Sequence, residues 1–134
     1  MHLSVTRRRL IELDALLLAL LALHGLDHEL RHPVATPAVV SAVGTLEFAL
    51  VLFALWLALR RHPSAQRATS VAGFVIAAAY AIIHLPPDWG ALSQPYADIG
   101  VDALSWADLA LTILVGLAVG VAARAQPQPQ QQLN

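Results

Sequence analysis

The chain has 134 residues, 57% of them hydrophobic and 13% charged, with a net charge of −1 and a mean hydropathy of +0.63. A soluble domain carries about 25% charged residues, so the deficit requires an apolar solvent, and the near-neutral charge without a broad basic surface excludes a nucleic-acid partner. Cysteine and lysine are both absent, which removes disulfides, iron–sulfur clusters, thiolate metal sites and Schiff-base chemistry; positive charge carried by arginine alone suggests a GC-rich bacterial genome.

Four apolar stretches follow in chain order, at about 10–30, 38–59, 68–85 and 101–123. Each is near the ~20 residues that cross a ~30 Å hydrocarbon core. Period-2 alternation is absent, and only helices or closed barrels satisfy the backbone in lipid, so all four read as helices. Their ends are punctuated by His32-Pro33 with Pro37, by His62-Pro63 and by Pro86-Pro87. The expectation is an all-α integral membrane protein: one four-helix transmembrane domain over residues 1–125, then a polar tail, 126–134, whose Gln and Pro content has nothing to pack and reads as disordered.

Arginine placement sets the orientation. Arg7, Arg8 and Arg9 precede the first helix, Arg60, Arg61 and Arg67 lie between the second and third, and Arg124 ends the fourth. Four crossings put these seven on one side and Arg31 alone on the other, so both termini are expected in the cytoplasm, with the protein in the inner or plasma membrane. Trp89, Tyr96 and Trp106 then fall at the outer interface and Trp56 at the inner one. Thr6-Arg7-Arg8-Arg9-Leu10 resembles a twin-arginine start, but Ala22-Leu23-His24 is a poor cleavage site and three more spans follow.

Ionisable residues inside membrane helices are costly and face a bundle interior or cavity. At ~1.5 Å per residue from the cytoplasmic arginines, His24 lies roughly 22 Å up, His84 roughly 25 Å, Asp108 roughly 24 Å and Glu47 roughly 20 Å. One ionisable group from each helix therefore arrives at nearly the same height. Helical periodicity puts them on polar or small stripes: His24, Asp27, His28 and Arg31; Ser41, Gly44 and Glu47; Thr69, Gly73, Ala77, Tyr80 and His84; Ser105, Asp108, Thr112 and Gly116. The result is a polar chamber in the outer half of the bundle.

Two imidazoles at i, i+4, such as His24 and His28, point the same way and can share an ion. Glu47, His84 and Asp108 complete an N/O set suited to Zn, Fe, Mn or Cu, with Asp27 and Asp102 placed to hold the second nitrogen of an imidazole. A b-type haem between His24 and His84 is a rival, disfavoured by acidic neighbours and by the lone Arg31 for propionates. Metal-free acid–base chemistry on a lipid-soluble substrate is another, with the loop 86–100 either a lid or a segment lying on the interface. The bland alternative is an accessory subunit whose polar cluster only fastens its helices, with Gly116 and Gly120 as a seam for a second copy or another membrane protein. On this reading Asp27 pairs with Arg31, Glu29, His32 and Asp98 face water, Glu12 and Asp14 sit in the headgroup region, and His2 and His62 are cytoplasmic.

Overall fold

A computed structural model describes residues 5–32 and 34–125; the expected tail at 126–134, His2 and Pro33 lie outside them. The described residues are helical, without strands: α1 (Val5–Arg31), α2 (Ala38–Leu59), α3 (Ala65–His84), the single turn α4 (Tyr96–Ile99) and α5 (Ala103–Arg124). Three of these, α2, α3 and α5, are long and apolar enough to cross a membrane. With 27 residues α1 is longer than any of them, but Glu12, Asp14, Asp27 and Glu29 interrupt its apolar run.

The long helices alternate in direction. Arg7 at the start of α1 donates from Nε to the Ala58 carbonyl (3.2 Å) and from Nη2 to that of Leu59 (2.9 Å) at the end of α2. Gln66 at the start of α3 donates to the Arg124 carbonyl at the end of α5 (3.3 Å). A small core of Leu10, Leu57, Ala58, Ala65 and Ala123 closes this end. A larger one centred on Leu17, Val51, Ile76, Tyr80, Tyr96, Leu109 and Val119 fills the remaining length. The seven arginines of the sequence argument therefore gather at one end, because the packing core there joins the four segments that carry them.

The tightest contact is between α3 and α5, and glycine makes it possible. A Cβ on Gly73 would lie 2.6 Å from the Gly116 carbonyl oxygen and 2.6 Å from the Gly120 nitrogen, while one on Gly116 would lie 2.9 Å from the Gly73 carbonyl oxygen. Ser70 Oγ donates to the Gly120 carbonyl (2.8 Å) inside the same contact. Small residues let two backbones approach in this way. Gly116 and Gly120, expected as a seam for an external partner, thus face α3 of their own chain.

Three acidic residues of α1 are matched individually. Glu12 pairs with Arg8 (2.8 Å), and Asp27 with Arg31 (3.3 Å) and His32 (3.1 Å). Asp14, expected among headgroups, is instead fully buried and accepts from Thr69 Oγ1 of α3 (3.1 Å). It shares the buried stripe of Leu10, Leu17 and Leu21, turned away from the exposed Arg8 and Arg9.

Asp102 is the N-cap of α5. Its Oδ1 accepts from the backbone N–H groups of Leu104 and Ser105 (both 3.0 Å), and its Oδ2 accepts from Arg31. The Ser105 N–H first, and then Arg31, hold this carboxyl below the ordinary carboxylate range. A lowered pKa stabilises the folded chain above the unfolded value of 3.8, and that contribution is lost as pH falls through the folded value. Asp102→Ala is therefore expected to lower the thermal midpoint in detergent at pH 7, with the gap from the native protein closing below about pH 4; a gap of equal size at pH 3 would refute the carboxylate cap.

Candidate metal centre

Three histidines reach the same point from two helices. His24 and His28 stand one turn apart on α1, and His84 is the last residue of α3. One ring nitrogen from each lies within 4.8 Å of the others. His24 Nε2 and His28 Nε2 are 2.9 Å apart, and the His84 ring centroid is 5.4 Å from each of the other two. Two nitrogens bound at ~2.0–2.1 Å to a tetrahedral ion are about 3.3 Å apart. The His24–His28 pair is close to that separation, and His84 joins it through a ring shift on the order of 1 Å.

The outward nitrogens of the rings are engaged elsewhere. His24 Nδ1 lies 2.7 Å from Asp108 Oδ2 on α5, both side chains being buried. His84 Nδ1 donates to the Gln94 carbonyl oxygen (2.9 Å). A carbonyl only accepts, so Nδ1 of His84 carries the hydrogen and a neutral ring leaves Nε2 bare. An ionised Asp108 imposes the same tautomer on His24. His28 Nδ1 meets Thr36 Oγ1 (3.0 Å), a hydroxyl able to donate or accept. His28 can therefore present Nε2 either as N–H toward His24 or as a lone pair beside it. Metal-bound histidines show this pattern, their second nitrogen fixed by a carboxylate, carbonyl or hydroxyl.

The connection between α3 and α5 builds one wall of the centre. Asp88 Oδ1 accepts from Gly90 N (2.9 Å) and Ser93 Oγ (2.6 Å), and Gln94 N donates to the Ile83 carbonyl (2.9 Å). These bonds fold the segment over the end of α3 and bring the Gln94 carbonyl to His84. Gly100, at φ 69°, ends α4 in the left-handed region open to glycine. Tyr96, expected at the outer interface, is fully buried, its ring 4.5 Å from that of His84 and 5.1 Å from that of His32. The segment is thus neither a lid nor a strip on the interface over its middle: Ser93, Gln94, Pro95 and Tyr96 plug the bundle. Trp89 and Trp106 remain partly exposed.

The sequence-derived residues separate into three groups. His24, His28 and His84 converge. Asp108 lies behind His24, on the side away from His28, where it orients the ring. Glu47 is buried and shares a cavity with the three histidines, and its Oε1 has no hydrogen-bond partner. Asp27 orients an imidazole, but that of His32, whose side chain is buried although water exposure was expected. Asp102 meets no imidazole: the cap of α5 and Arg31 occupy it. His32, Thr36, Gln94 and Tyr96 were missed as contributors. The i, i+4, i+8 spacing of His24, His28 and His32 marks His32 in retrospect, whereas a backbone carbonyl such as that of Gln94 leaves no trace in sequence.

The His24 and His84 rings, 5.4 Å apart with His28 against both, leave no slot for a porphyrin plane between them. No family model matches the chain, and no match was found among the curated proteins or the solved structures.

Proposed function

We propose that this chain is a membrane protein that binds one first-row transition-metal ion through His24, His28 and His84. The observation that carries the reading is the convergence of the rings: His24 and His28 meet through their Nε2 atoms at 2.9 Å, one ring nitrogen from each of the three lies within 4.8 Å of the others, and the remaining contacts of the rings go to Asp108, Thr36 and the Gln94 carbonyl. A network serving only to fasten helices has no need to gather three imidazoles within reach of one ion. Three neutral imidazoles suit Zn and Cu above Mn or Mg, which prefer oxygen. Three protein ligands also match the pattern of a metal site with an open position for water or substrate. Glu47 borders the same space and would serve as a fourth ligand or as a base beside it.

In this proposal α1 is the fourth span, with Glu12 met by Arg8, Asp14 by Thr69, and Asp27 by Arg31 and His32. The arginine-rich end is cytoplasmic with both termini, and the centre sits in the outer half of the bilayer. Elemental analysis of the detergent-purified chain is the test, with about one transition-metal ion per chain expected. Metal at background after growth in supplemented medium would overturn the reading.

Asp108 is expected to act through His24. Asp108→Asn keeps the shape but removes the charge that favours the Nδ1–H tautomer, and should weaken metal affinity about 10–100-fold. Competition with a chromophoric chelator measures this; unchanged affinity would separate Asp108 from the centre.

A further inference from the structure

Beside the three histidines lies a cavity of about 800 Å³ between α1 and α2, within the ~300–1,000 Å³ typical of small-molecule sites. The two helices are held together at their other end by Arg7 and by the contact of Leu10 with Leu57 and Ala58, and they part toward the histidines. Glycine serves here in a manner opposite to its use between α3 and α5. Gly25 and Gly44 both line the cavity, and a Cβ on either would meet nothing within 4 Å. A helical glycine costs ~1 kcal/mol relative to alanine, and no close backbone contact accounts for these two. What they leave is space.

The walls of that space differ. Leu26 and Leu52, at its rim, are exposed apolar side chains, so in a bilayer the mouth opens toward acyl chains. The opposite wall holds His24, His28, His84, Tyr80 and Glu47. Glu47 is 4% exposed and its Oε1 is unpartnered, an arrangement that costs ~1–3 kcal/mol until a donor meets it. Among the described residues no arginine lines the cavity, so a carboxylate or phosphate headgroup would find no counter-charge. The polar wall is rich in acceptors and calls for a neutral donor.

We propose that this cavity binds a membrane-soluble alcohol or phenol with a long apolar tail, entering from the bilayer between Leu26 and Leu52 and donating its hydroxyl to Glu47 beside the histidines. The inference goes beyond the metal centre and does not depend on it. The hydroxyl accounts for the orphaned carboxylate oxygen, the tail for the apolar rim, and the two glycines for the room.

The test uses the full chain in lipid nanodiscs and a sixteen-carbon (~C16) alcohol with a mid-chain diazirine, compared with the same chain lacking the hydroxyl. Photolabelling of the 21–26 and 40–52 segments, read by mass spectrometry, should require the hydroxyl. It should fall roughly tenfold in Glu47→Leu, through the loss of one buried hydrogen bond, and vanish in Gly44→Phe, whose ring fills the cavity. Gly25→Leu, from the other wall, repeats the block should Gly44→Phe fold poorly. Equal labelling by the hydroxyl-free chain, or labelling indifferent to both glycine substitutions, would overturn the proposal. Labelling that keeps its glycine dependence in protein shown to carry no metal would support the pocket while removing the metal centre.

Discussion

His24→Ala is expected to reduce bound transition metal from about one ion per chain to background, because it removes the ligand that meets His28, His84 and Asp108. Its Nε2 is 2.9 Å from that of His28, and its Nδ1 is held by Asp108 at 2.7 Å. Two nitrogens then remain, one from each of two helices, and the charge of Asp108 loses its neighbour. His84→Ala and His28→Ala should have the same effect. His62→Ala should leave the metal unchanged, since His62 lies in the exposed turn between α2 and α3, where its Nδ1 accepts from Ser64 N (3.2 Å). His32→Ala is the sharper control: His32 packs against His28 with ring centroids 3.9 Å apart, yet its Nε2 is committed to Asp27. It should retain the ion. Inductively coupled plasma mass spectrometry on the variants side by side measures all of this, and equal loss in His24→Ala and His62→Ala would sink the site.

The second large effect concerns assembly. Gly73→Ala is expected to force α3 and α5 apart, because the added methyl would stand 2.6 Å from two backbone atoms of α5, Gly116 O and Gly120 N. Backbone cannot rotate away as a side chain can. Overpacking typically costs ~1–3 kcal/mol, and the Ser70–Gly120 hydrogen bond is strained by the same displacement. Gly120→Ala should be milder, as its methyl meets the Phe74 ring at 2.9 Å, a side chain with room to turn. Gly25→Ala and Gly44→Ala form the contrast: they meet nothing and gain up to ~1 kcal/mol of helix propensity. Thermal unfolding in one detergent ranks the four. A Gly73→Ala midpoint equal to that of Gly44→Ala would contradict the close α3–α5 packing.

The sequence by itself determined the helical architecture, because a bilayer permits few other solutions for apolar runs of this length. It also brought His24, Glu47, His84 and Asp108 to nearly one height, since rise per residue is nearly invariant in a helix. Interior stripes were legible for the same reason: Thr69, Gly73, Ala77, Tyr80 and His84 are all buried as their spacing implies. Direction was not legible. Periodicity says that Asp108 and Glu47 face inward, but the distance between helices decides whether a carboxylate reaches an ion, a histidine or a cavity. Close α3–α5 packing accompanies the Asp108–His24 contact, while the parting of α1 and α2 leaves Glu47 beside open space. The roles of Tyr96 and the Gln94 carbonyl were decided by tertiary structure alone. Each depends on a non-periodic segment folding back over α3, and a loop's path is set by hydrogen bonds such as those of Asp88 and Ile83, which have no repeat to read.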